Sequence, residues 1–132
     1  MRSVYVFARV TSEELGSYLD SLVPRRGAAE QWLYPDPDKK ILYIQITDDL
    51  YDELEPETLE EVLAHFGGER VTCLSIDVSG RYPGEEEVKE IVSMLLRRFE
   101  GIAMDDWSEH LWTLEEIVSG RRWNGQRFFS GN

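Results

Sequence analysis

GIAMDDWSEHLWTLEEIVSG, residues 101–120, decides how the rest of the chain is read. It opens on a short apolar run, Gly101 to Met104, then passes through two aspartates and a Trp-Ser-Glu-His turn. It closes on a second tryptophan and an apolar-acidic segment. Thr113 stands three residues before Glu116, so the hydroxyl can accept an orphan amide while the carboxylate reaches back. This capping-box spacing starts a helix. With a helix from Trp112 or Thr113, residues 101–104 become a strand and 105–110 a loop at its carboxyl end, where α/β sheets often carry their sites.

Immediately upstream, Val88, Ile91, Val92, Leu95 and Phe99 mark one stripe of a helix over 85–99, with Glu85 to Glu87 in its first turn and Arg97 and Arg98 in its last, as the helix dipole prefers. Before it, residues 70–78 are apolar on both faces and read as an interior strand. A right-handed crossover through the 85–99 helix is expected to set the 101–104 strand parallel to 70–78 and beside it.

In the amino half, residues 3–10 alternate with period two and read as a central strand. Thr11 and Glu14 start a helix whose Leu15, Tyr18, Leu19 and Leu22 form one stripe. Strands over 29–34 and 40–47 flank Pro35-Asp36-Pro37-Asp38, a turn by composition, and are expected to form a hairpin. Residues 48–55 read as a polar connection. Pro56 suits a first helical position, Leu59, Val62, Leu63 and Phe66 share a face, and Gly67-Gly68 stops that helix. The order β-α-β-β-α-β predicts a ferredoxin-like core with both helices on one face. Extended by α-β-α, it becomes one α+β domain over residues 1–132 with a five-stranded mixed sheet. The 121–132 tail carries Trp123, Phe128 and Phe129 and is expected to fold back, with Gly125 turning a small hairpin; the alternative is a partner-binding tail.

Charge narrows the partner. The net charge is −12, and residues 41–120 hold twenty acidic and five basic side chains. Such a surface repels nucleic-acid phosphates, whose binders gain affinity by replacing counterions with Lys and Arg. A basic protein is the converse partner, since an extended negative field speeds encounter with a positive one. The plainer reading of the acidity is solubility. The single cysteine, Cys73, lies in an apolar run and reads as an inert core thiol in a reducing compartment. No apolar run approaches a membrane span, so a cytoplasmic, soluble protein is expected.

Parallel strands at 70–78 and 101–104 would bring Asp77, Arg81, Asp105, Asp106 and His110 to one sheet edge. Clustered carboxylates with a histidine can ligate a cation or share a proton. However, adjacent aspartates on an extended segment point to opposite sides, and His110 has no paired-His or HExxH spacing. Loop solvation therefore ranks above catalysis, and neither a metal nor another cofactor is expected. His65, beside Phe66, reads as structural. Residues 48–61, DDLYDELEPETLEE, hold eight acids and no base. Leu50, Tyr51 and Leu54 among them offer apolar anchors, because hot spots need buried aromatics as well as charge. The expected partner surface therefore joins Asp48, Asp49, Tyr51, Asp52 and Glu53 to Asp77, Arg81, Asp105, Asp106, Trp107, Glu109 and His110.

The run GIAMDDWSEHLWTLEEI, preceded by SIDVSGRYPG and the amphipathic helix, resembles the carboxyl-terminal part of small bacterial immunity proteins encoded beside polymorphic or contact-dependent toxins. The resemblance covers residues 74–120. It implies an acidic, cytoplasmic, non-catalytic inhibitor that occludes a basic toxin domain such as a nuclease. Two other readings stand beside it: a small-molecule regulatory domain of ferredoxin-like type, and an enzyme built on Asp77, Asp105 and His110.

Overall fold

A computed structural model describes residues 2–23, 25–26, 31–36, 38–47 and 50–129. Its elements in chain order are β1 (Arg2–Ala8), α1 (Ser12–Leu22), β2 (Arg25–Arg26), β3 (Gln31–Asp36), β4 (Lys39–Thr47), α2 (Leu50–Glu53), α3 (Pro56–His65), β5 (Thr72–Val78), α4 (Glu85–Arg98), β6 (Gly101–Asp105) and α5 (Leu114–Ser119). The strands form one open sheet in the order β2-β3-β4-β5-β1-β6, and every pairing is antiparallel.

Two expectations are corrected here. The sheet is antiparallel and not mixed: β5 and β6 do run in the same direction, but β1 lies between them, with Val6 opposite Leu74 on one side and Ala103 on the other. The α4 crossover therefore spans a one-strand gap, and the parallel pair never exchanges a hydrogen bond. Nor do α1 and α3 share a face. Leu15 and Leu19 of α1 join Val88, Ile91, Val92 and Leu95 of α4 and Ile117 of α5 against Val4, Val6, Ala8, Ile44, Leu74, Ile76 and Ala103. Val62 and Phe66 of the α3 segment pack with Leu50 and Tyr51 of α2 against the opposite-phase residues Phe7, Cys73, Ile102 and Met104. Strands apolar on both faces need cover on both, and burial of each large side chain contributes about 1.5–3 kcal/mol. The first six expected elements thus do not assemble as the predicted βαββαβ unit.

Other readings match closely. Thr113 caps α5 with the reciprocal capping box, its hydroxyl accepting from the Glu116 amide while the Glu116 carboxylate accepts from the Thr113 amide at 3.0 Å. Pro56 opens α3, and β3 and β4 form the expected hairpin, with a register shift between Tyr34 and Pro35. The tail does fold back. Trp123 pairs with Gln126 across Asn124 and Gly125, both at positive φ as a tight hairpin turn requires, and Phe128 and Phe129 are fully buried. No helix among the described residues is long and apolar enough to cross a membrane.

Two substitutions test this arrangement. Gly101 sits where β6 leaves α4, and a Cβ there would lie 2.3 Å from the Phe7 carbonyl oxygen. Gly101→Ala should cost about 1–3 kcal/mol by forcing β6 away from β1. Thr113→Ala should cost about 1 kcal/mol by freeing an α5 amide. Urea midpoints measure both; an unchanged midpoint in either would contradict the corresponding contact.

Candidate functional site

The carboxyl ends of β5 and β6 and the amino end of β1 meet at one edge of the sheet. Ser3 links them: its hydroxyl donates to Asp77 at 2.6 Å and its amide donates to Asp106. Tyr5, two residues along on the same face, lines a hollow of about 280 Å³ with Asp77 and Glu53. Burial, then the Asp106 carboxylate, with lesser contributions from Asp77 and Glu53, pushes its phenol above the ordinary tyrosine value, against a lowering hydrogen bond with Ser3. The Tyr5 phenol thus lies in the field of Asp106, Asp77 and Glu53. None of the three has an ion-pair partner among the described residues.

Asp105 departs from this group as the alternation of an extended chain requires. It is 5% exposed, while Asp106 is exposed. Its carboxylate accepts from the Phe129 amide at 2.8 Å and the Trp107 amide at 3.2 Å, and it ties the returning tail to the loop. Burial raises its pKa, while the amides of Phe129, Trp107 and Ser108 pull it down; the raised value is the net result. As a member of a partner surface Asp105 is therefore corrected: it is an internal clamp with its acceptors already occupied.

Tyr51 is corrected likewise. It is 4% exposed, its hydroxyl donates to the Val71 carbonyl at 2.7 Å and accepts from the Val71 amide at 2.9 Å, and its ring packs on Phe7. The interleaving of Leu50 and Tyr51 with acids is the signature of a short amphipathic helix, α2, whose apolar side faces the sheet and whose Asp52 and Glu53 face out. Asp48 and Asp49 lie outside the described residues. Arg81 is exposed and borders a separate hollow of about 370 Å³ with Asp38, Lys40 and Tyr43.

His110 belongs to a different cluster from the one expected. Its Nε2 lies 3.2 and 3.1 Å from the two Glu116 oxygens, its ring stacks on Trp123 at 5.1 Å, and it meets the buried Trp112 edge-on at 4.7 Å. Asp77, Asp105 and His110 share no hydrogen bond with one another among the described residues. Those residues also contain no group of three or more His, Cys, Asp or Glu able to hold a metal ion. Cys73 and Phe66 are buried, and the His65 ring packs edge-on against Phe66.

Among the described residues, two large aromatics remain at the surface. Trp107 is 36% exposed and rests edge-on upon Phe129 at 4.6 Å; Trp123 is 39% exposed on the far side of His110. Exposed Asp106 and Glu109 flank Trp107. Sequence reasoning named Trp107 but not Trp123 as a surface residue, although a tryptophan beside an Asn-Gly turn is displayed by the turn itself. It also missed Arg2, whose guanidinium donates to the carbonyls of Ser79, Tyr82 and Pro83 and so pins the loop ahead of α4. No local pattern announces that contact.

Glu116 couples the His110 cluster to helix α5. Burial opposes its ionisation, but the Thr113 amide and the His110 imidazole outweigh that cost, so its pKa is lowered. A carboxylate with a lowered folded pKa contributes stability that is fully present above the unfolded value, about 4.3, and is lost as pH falls through the folded value. The stability difference between the wild type and Glu116→Gln should therefore be largest near neutrality and shrink in acid. Urea unfolding between pH 7 and 3 measures it, and a gap that is constant with pH would contradict the coupling.

No protein-family model, curated protein or solved structure matches the chain.

Proposed function

We propose that this protein is an acidic binding module that occludes a basic protein partner, in the manner of an immunity protein against a toxin domain such as a nuclease. The observation that carries this reading is the pair of half-exposed tryptophans, Trp107 and Trp123, on the loop and tail that follow β6, with the exposed Asp106 and Glu109 beside Trp107. Trp107, with an acid on either side of it, fits a partner whose Lys and Arg side chains border an apolar contact, while Trp123, beside Arg121 and Arg122, adds aromatic area without acidic neighbours. The net charge of −12 favours the same partner sign. The two tryptophans rest on Phe129 and on His110, so each is held before contact and little side-chain freedom is lost on binding. Cytoplasmic residence belongs to this proposal, since the toxins that immunity proteins neutralise act inside cells.

A second reading, a small-molecule regulatory domain of ferredoxin-like type, is supported by the strand order β6-β1-β5-β4 beneath α1 and α4. That order is compatible with two interlocked split β-α-β units to which β3 and the α2–α3 segment are additions. The enzyme reading has less support, because its three residues occupy separate hydrogen-bond networks.

Binding kinetics with the purified product of the adjacent reading frame test the first reading. Changing Asp52, Glu53, Asp106 and Glu109 to their amides should slow association and weaken its salt dependence, because rim charges act over a screening length of about 8 Å. Trp107→Ala should instead quicken dissociation about thirtyfold, the equivalent of about 2 kcal/mol. Unchanged kinetics in both variants, with both still folded by thermal melting, would sink the proposal.

A further inference from the structure

The opposite end of the sheet, where β1 ends and β5 begins, holds a hollow of about 630 Å³, within the size range of small-molecule sites. Its lining combines Val10, Val71 and Tyr51 with the charged residues Arg9, Glu14, Glu69 and Arg70. Most of its polar groups are already committed. The Tyr51 hydroxyl is satisfied twice by Val71, and the Thr72 hydroxyl donates to the Val10 carbonyl. Arg9 lies over the Phe66 ring, 3.5 Å from Glu69 and 3.6 Å from Glu100.

Two charges of opposite sign remain. The Arg70 guanidinium rests over the Tyr51 ring at 5.2 Å, and neither it nor the Glu14 carboxylate has an ion-pair partner among the described residues. Arg70 precedes β5 and Glu14 lies in the first turn of α1, so the two reach the hollow from different elements. A lone anion drawn to Arg70 would meet the field of Glu14, and a lone cation drawn to Glu14 would meet that of Arg70. A small molecule carrying both charges satisfies each at once, while Val10 and Val71 of the same lining offer apolar contact.

We infer that this hollow binds a small zwitterion, an α-amino acid, with its carboxylate on Arg70 and its ammonium group on Glu14. The inference rests on the small-molecule reading and is independent of Trp107, which lies at the other end of the sheet. Binding changes no covalent bond and requires no metal.

The test is thermal melting of the full chain with each of the twenty common α-amino acids, and with acetate and methylammonium as single-charge controls. At least one amino acid should raise the melting temperature while neither control does. Its affinity should fall about tenfold or more in both Arg70→Gln and Glu14→Gln, each of which removes one charge-assisted contact. Both side chains are exposed, so the ligand-free variants should melt like the wild type. Amide chemical shifts of residues 10–14 and 70–72 supply a second readout if either variant melts early, and the stabilising amino acid should move them in the wild type. The proposal is overturned if no amino acid shifts the melting point or those amides. It is equally overturned if the shift survives in both variants. Stabilisation by acetate alone would overturn the zwitterion while leaving the small-molecule reading intact.

Discussion

Strand β1 is the constraint on which the rest of the structure depends. It is hydrogen-bonded along both edges, to β5 and to β6, and it is apolar on both faces. Val4, Val6 and Ala8 supply the middle of the larger core, beneath α1, α4 and α5; Phe7 supplies the centre of the smaller one, beneath α2 and α3. Such a strand has no solvated side, so both layers of helices must form for it to be buried. Its position between β5 and β6 also fixes the site. Ser3, near its start, reaches a carboxylate on each side, donating its hydroxyl to Asp77 of β5 and its backbone amide to Asp106 just beyond β6.

The second constraint is the returning tail. In the core Phe128 packs on Trp112, Phe129 supports the half-exposed Trp107, and the Phe129 amide closes on the buried Asp105 carboxylate. The backbone amides that this acceptor receives offset part of the cost of burying it, although its pKa stays raised. This clamp orders the 106–109 loop from beneath, and the Glu116 carboxylate, shared between the α5 cap and His110, orders it from the side. The exposed faces of Trp107 and Trp123 are therefore presented by a supported surface, which is what a binding anchor needs.

Much of this was legible in local pattern. Periodicity placed α1, α3 and α4, the Thr113 and Glu116 spacing placed α5, and the three aromatics around Gly125 foretold a tail that turns back. Strand partnership was not legible, because β1, β5 and β6 are apolar on both faces and the alternation that would orient them is absent. The short α2 helix was missed for a related reason: in Leu50 to Glu53 a four-residue amphipathic turn and an acid-rich loop with apolar anchors look alike. Tyr51 was consequently read as a surface anchor when its hydroxyl in fact secures the start of β5. The opposed directions of Asp105 and Asp106, by contrast, followed from chain geometry alone.

The central claim is that the loop and tail after β6 form the face that meets a basic partner. Amide hydrogen exchange, measured on the free chain and on its complex with the product of the adjacent reading frame, addresses it most directly. The account predicts slowed exchange at residues 106–110 and 121–127, with residues 69–72 unchanged. Protection confined to residues 9–14 and 69–72, or absent from the whole chain in a complex that demonstrably forms, would contradict it.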